Sequence, residues 1–120
     1  MLARTWSSAI QGVDAYTVEI EVNATGGGND NFILVVGLPD TAVRESRERV
    51  WSAMCCCGHF PPQGKTMVNL APADVRKEGA AFDLPIALSV VAASNGFDRE
   101  ALEESMIVGE LALDGSVRRV

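Results

Sequence analysis

Three stretches of this 120-residue sequence collect side chains that could do chemistry. Cys55-Cys56-Cys57-Gly58-His59 holds three thiols and an imidazole, a complete zinc ligand set in number. Gly64-Lys65-Thr66 looks like the end of a phosphate-binding loop. The third stretch comes after the apolar run at Val68: a proline-broken turn, then Asp74, Arg76, Lys77 and Glu78 leading to Gly79, then Asp83 and Pro85 as a fresh helix start. Such a junction gathers backbone N–H groups and a positive helix end at one surface point, where a nucleophile or an anion can be held.

Geometry and register weigh against the first two. Consecutive residues on a helix point about 100° apart, so three neighbouring thiols cannot converge on one ion. Small buried residues at a helix end are the better reading of the cysteines. The phosphate loop requires a glycine where His59 stands, and the residues after Thr66 read as a strand rather than a helix. No cofactor or metal is therefore expected in this stretch of chain. At the third junction the two residues after Gly79 are Ala80 and Ala81, which neither attack, ligate nor titrate. Asp74, Glu78 and Asp83 could form an acid pair or a magnesium site. Capping of the helix by Asp83, with Arg76 and Lys77 as ion-pair partners, accounts for them more simply. No catalytic set stands out elsewhere in the sequence. His59 is the single histidine, and the hydroxyls of Ser89 and Ser94, in an apolar helix, are expected to bond backbone carbonyls.

The elements that must position these residues are readable from periodicity. Residues 2–10 form a first strand turning at Gln11-Gly12. In residues 16–22, Tyr16, Val18, Ile20 and Val22 alternate with Thr17, Glu19 and Glu21, the pattern of a strand with one wet face. A glycine- and asparagine-rich hairpin loop spans 24–31, and after it the apolar run 32–36 is expected to be a strand covered on both faces. Gly37-Leu38-Pro39-Asp40 starts a helix, with Asp40 or Thr41 as cap, that runs to about Cys57 and stops at Gly58. Its apolar stripe is Val43, Val50, Met54 and Cys57, at spacings of seven, four and three, flanked by Ala42, Trp51 and Ala53. Residues 84–95 read as a helix apolar nearly all round and hence buried. Gly96 ends it, Asp98 caps a short helix through Glu104, residues 106–113 form a strand, and Asp114-Gly115 turns a two-residue hairpin.

Composition bounds the rest. With 48% apolar and 22% charged residues, the chain suits a single folded domain. A net charge of −6 works against general binding to nucleic-acid backbones, although Arg44, Arg47 and Arg49, Arg76 and Lys77, and Arg118 and Arg119 could form local basic patches. On the first helix the bland reading is a solvated face of mixed charge, and the sharper one a partner or DNA contact. No apolar stretch approaches the roughly 18 residues of a membrane span, and Met1-Leu2-Ala3-Arg4 lacks the basic, apolar, small-residue order expected of a signal peptide. Three adjacent cysteines build no disulfide framework, and a cytoplasmic location without membrane partners is the expectation.

The runs NLAPADVRKEGAAFDLPIAL, VVGLPDTAVRESRERVWSAM and VGELALDGSVRRV together resemble the N-terminal domain of the magnesium-chelatase-like AAA+ ATPases of the ComM/YifB competence group. That domain is in turn similar to the proteolytic domain of Lon and to the C-terminal domain of RadA. The resemblance implies an α+β fold of Lon-protease-domain type (ribosomal protein S5 domain 2-like), a mixed sheet of five or six strands with two main helices. It also implies that residues 1–120 are one N-terminal domain cut from a longer ATPase, since the chain stops inside a strand. Lon carries a lysine, an acidic residue and a glycine, then Pro-Ser-Ala-Gly; laid on Lys77-Glu78-Gly79-Ala80-Ala81, the nucleophilic serine falls on Ala81. The implied domain is non-catalytic, within a homo-hexamer whose downstream AAA+ domain takes ATP and magnesium and whose motor acts on DNA in branch migration during natural transformation. Arg76 and Lys77 become candidates to line the ring channel, with Arg44 and Arg47 as further DNA or partner contacts and Asp74, Glu78, Gly79 and Asp83 as the motif elbow. The alternatives are a Lon-type ATP-dependent protease domain and a chelatase-like subunit remodelling a metal-inserting partner.

Overall fold

Period-two alternation at the start of the chain becomes a long antiparallel hairpin in the computed structural model, which describes residues 2–11, 13–25, 31–60, 62–72, 77, 80–94 and 99–119. Strand β1 (Leu2–Gln11) pairs with β2 (Asp14–Ala24) in register from Leu2↔Asn23 to Gln11↔Asp14. Val18, Ile20 and Val22 are buried as their spacing requires, whereas Tyr16, beyond the core, is 38% exposed. On β1 the inward residues are small (Ala3, Thr5, Ser7 and Ala9), which lets a helix lie close to the sheet.

A parallel βαβ unit comes next: β3 (Phe32–Val36), α1 (Asp40–Cys56) and β4 (Lys65–Ala71). β4 runs parallel to β3 and antiparallel to β2, giving a mixed sheet of order β1-β2-β4-β3. This corrects the expectation for residues 32–36. β3 is an edge strand in which Ile33 and Val35 are buried while Phe32 and Val36 stay exposed. Gly37, just beyond it, has φ +102° and lies so close to β4 that an added Cβ would sit 2.3 Å from the Leu70 carbonyl oxygen.

Helix α1 begins without a side-chain cap. Pro39 holds the N-cap position and Asp40 is already helical. Its other end closes in a Schellman motif: the His59 N–H donates to the Met54 carbonyl (2.8 Å) and the Gly58 N–H to the Cys55 carbonyl (3.1 Å). Gly58 takes the left-handed conformation this requires, with φ +80°. The inward stripe of α1 is Ser46, Val50, Ala53 and Met54. Cys57, placed on that stripe by spacing, is exposed instead, as is Cys56, and Cys55 is half-buried.

Helix α2 (Asp83–Ala93) buries nine of its 11 residues, because β1 and β2 lie on one side and α1, α3 (Arg99–Glu103) and the C-terminal hairpin close the rest. Phe82, not Asp83, occupies its N-cap position, in a single 3-10 turn over Ala80–Phe82. Both main helices cover one face of the sheet; the other carries Arg4, Trp6, Glu19 and Glu21, with Arg4 Nε 3.2 Å from Glu19 Oε1.

The expected strand over 106–113 shrinks to a bridge between Trp6 and Met106 and a two-residue strand, β5 (Glu110–Leu111), paired with β6 (Val117–Arg118). The reason is Gly109, which leaves the strand path to bond the chain before α2. The turn is longer than expected too. Ala112 accepts from the Gly115 N–H (3.0 Å) and donates to Ser116 (2.8 Å), so the loop is Leu113-Asp114-Gly115. The architecture is α+β as expected, with the described strands split into a four-stranded and a two-stranded sheet.

Candidate functional site

The elbow before α2 is held from three directions. The Ala81 carbonyl accepts from the Gly109 N–H (2.8 Å), and the Leu84 N–H donates to the Gly109 carbonyl (3.0 Å), clasping the turn against the C-terminal segment. Between those contacts Phe82 is 1% exposed and anchors the turn in the core.

Asp83 supplies the polar half of the joint. Its carboxylate is fully buried, and burial of a charge is tolerated only when the charge is paired and hydrogen-bonded. Ser46 Oγ donates to Oδ1 at 2.8 Å, Arg49 Nη2 to Oδ1 at 3.2 Å, Arg49 Nε to Oδ2 at 2.5 Å and the Leu111 N–H to Oδ2 at 3.2 Å. One carboxylate thereby ties α1, α2 and β5 together. The hydrogen bond to Asp83 raises the Arg49 pKa above its ordinary value, with partial burial opposing and the charges of Asp83, Glu110 and Glu45 adding to it. Arg49 also lies 3.9 Å from Glu45, one helical turn back.

Several expectations change as a result. Asp83 finds its partners in Arg49 and Ser46 on α1, which the sequence alone did not indicate. Lys77 is 2% exposed, so its ammonium does not present itself to a polymer crossing this face of the chain. Asp74, Arg76, Glu78 and Gly79 lie outside the described residues, as does most of the glycine-rich loop, together with Gly96 and Asp98. Ser94, the C-cap of α2, donates its Oγ to the Val91 carbonyl at 2.9 Å, the backbone bond expected of it. Ser89 departs from that expectation: its hydroxyl is buried and has no hydrogen-bond partner among the described residues.

Ser46 carries no mark in the sequence reading and Arg49 stands there only among the basic-patch candidates, although a signal for their buried partner existed. Ser46 falls four residues before Val50 on the inward stripe of α1, and a polar residue on such a stripe asks for a buried partner. The remaining expected contacts, Arg44 and Arg47, stand on the other side of α1. Arg44 is exposed and Arg47 half-buried, and neither is ion-paired among the described residues. Arg47 lines a pocket of about 260 Å³ together with Asn31, Phe32, Ile33, Glu48 and Trp51. Cys57 and His59 line a separate apolar pocket of about 150 Å³ with Met54, Leu88 and Val91. Among the described residues no three His, Cys, Asp or Glu side chains are grouped to hold a metal ion. Gly64-Lys65-Thr66 leads directly into β4, without the helix that a phosphate loop needs. No helix of the described residues is long and apolar enough to cross a membrane.

Comparison with known proteins adds to this geometry. The family model described as subunit ChlI of Mg-chelatase matches residues 20–120. The protein YifB of Escherichia coli (strain K12) is 45% identical over 112 residues, 93% of this chain and 22% of that protein. Competence protein ComM of Haemophilus influenzae is 45% identical over 119 residues, 99% of this chain and 23% of that protein. A Mycobacterium tuberculosis protein is 40% identical over the same 119-residue length. The chain thus spans less than a quarter of the length of these relatives.

Proposed function

Since the chain belongs to the family of subunit ChlI of Mg-chelatase, we propose that it is a non-catalytic, Lon-like N-terminal domain of a cytoplasmic, hexameric Mg-chelatase-like AAA+ ATPase, and that it assists ring assembly or DNA handling. The observation that carries the reading is the elbow. The residue aligned with the Lon nucleophile is Ala81, whose methyl cannot attack, and its carbonyl is already bonded to Gly109. Asp83, two residues on, joins three elements and is screened from any substrate by its complete burial. A junction built this way transmits position rather than performing chemistry.

The DNA part of the reading is supported by the 45% identity to a competence protein across nearly the whole chain. In this reading ATP and magnesium are held by a downstream AAA+ domain, and the domain's own contacts to DNA come from Arg44 and Arg47. A ring of six multiplies one weakly basic surface, which offsets the acidity of each copy. The family description favours one other reading, a chelatase-like subunit that remodels a metal-inserting partner.

The test is ATP hydrolysis by the complete open reading frame, with and without forked DNA, and with and without residues 1–120. DNA stimulation that requires residues 1–120 supports the proposal. Hydrolysis indifferent to DNA in both forms overturns the DNA role and moves the weight to the remodelling reading.

A further inference from the structure

Arg44, Arg47, Glu48 and Trp51 stand at i, i+3, i+4 and i+7 along α1, so they share one side of the helix. Beside that face lies the start of edge strand β3, where Phe32 is 44% exposed. Between the two runs the pocket of about 260 Å³, lined by Phe32 and Ile33 from the strand, Arg47, Glu48 and Trp51 from the helix, and Asn31. It brings together two aromatic rings, a guanidinium, a carboxylate and a carboxamide. Asn31 is held in place by its Oδ1, which accepts from the Gly64 N–H at 2.7 Å.

Size and chemistry narrow the occupant. Pockets that enclose drug-sized molecules begin at about 300 Å³, so this one suits a single flat ring system. Its rings offer stacking surface that is indifferent to sequence, and a cation beside such rings is the combination by which proteins hold unpaired nucleic acid. Arg49, the third arginine of the helix, is tied to Asp83, whereas Arg44 and Arg47 enter no ion pair among the described residues. We propose that this pocket receives one unpaired base of single-stranded DNA, stacked against Trp51 and Phe32, with Arg47 and Arg44 on the flanking phosphates. Glu48 sets a preference within that class: a carboxylate accepts from an exocyclic amino group, as on cytosine, and finds no such donor on thymine. A paired base is committed to its own stack and cannot enter, so duplex DNA is excluded from the pocket.

The inference rests on the DNA-handling reading above and names where the strand is held. It is tested by fluorescence anisotropy of labelled oligodeoxycytidine and oligothymidine with the intact protein and its variants at low salt. Trp51→Leu and Phe32→Leu, which keep apolar bulk, are expected to weaken oligodeoxycytidine binding about fivefold to a hundredfold, and Trp51→Phe to restore most of it. Thermal melting of each variant confirms that a loss of binding is not a loss of fold. Oligothymidine binding weaker than oligodeoxycytidine binding, with the difference abolished by Glu48→Gln, supports the assignment. Single-strand binding that survives Trp51→Leu and Phe32→Leu unchanged overturns the pocket while leaving DNA handling intact. No binding by the unaltered protein, combined with DNA-indifferent ATP hydrolysis, overturns both readings. A free nucleotide bound as tightly as the oligomer also overturns the pocket as a strand contact, because the arginines would then add nothing from neighbouring phosphates.

Discussion

Replacing Asp83 by alanine removes one side chain and leaves three others stranded. The Ser46 hydroxyl and the Leu111 N–H lose a buried acceptor, and Arg49, 22% exposed at its side chain, loses its principal counter-charge. Breaking a buried ion pair by deleting one partner costs about 3–5 kcal/mol, and each orphaned buried polar group adds about 1–3 kcal/mol. These terms overlap and do not add. Arg49 can also turn toward Glu45, 3.9 Å away, and toward water. A loss of about 3–5 kcal/mol for Asp83→Ala is the consequence, a large share of the roughly 5–15 kcal/mol that holds a domain together. With a urea dependence of about 1–3 kcal/mol/M, the midpoint of unfolding falls by about 2 M. The assay is equilibrium urea denaturation monitored by far-ultraviolet circular dichroism, for Asp83→Ala, Arg49→Leu and the double variant. Because the double variant leaves no unpaired charge, it should be more stable than the sum of the two single losses predicts. A loss under about 1 kcal/mol for Asp83→Ala, or strictly additive single losses, would show that the carboxylate does not bind α1, α2 and β5 together.

Three further outcomes concern other positions. Gly37→Ala should destabilise by more than about 3 kcal/mol, since its Cβ would meet the Leu70 carbonyl oxygen at 2.3 Å, whereas Gly58→Ala, with open space around it, should cost only about 1 kcal/mol. Equal losses in denaturation would remove the close approach as the cause. Ser89→Ala should be neutral or stabilising by up to about 1 kcal/mol, because it deletes a buried hydroxyl with no partner among the described residues. A clear loss would reveal a hydrogen bond to that hydroxyl. The backbone N–H of Ser116 holds the Asp114 carboxyl below its ordinary value of 3.8. A depressed carboxyl contributes its stabilisation above the unfolded value and loses it as pH falls through the folded one, so the Ser116 amide resonance should titrate with a midpoint below 3.8. A midpoint at or above that value overturns the turn assignment.

Much of the secondary structure was legible because it depends on neighbours in the chain. The alternation of Val18, Ile20 and Val22, the stop at Gly58 and the all-apolar face of residues 84–93 each report a local period or a backbone requirement. The candidate site was legible only in outline. Asp83 stood out by type and position, but a helix-start aspartate reads as a cap, and capping is a relation within one turn. Its actual partners lie 37, 34 and 28 residues away, on elements whose approach no local pattern states.

The sequence by itself therefore determined most of the elements, the α+β class and the family, since side-chain period, turn residues and shared motifs are properties of the chain alone. Tertiary structure decided the pairing of Asp83 with Arg49, the burial of Lys77, the exposed edge at Phe32 and the exposure of Cys56 and Cys57. Each of these depends on which surface another element covers. A strand becomes an edge, and a lysine becomes interior, only when the neighbours that shield or fail to shield them have been set in place.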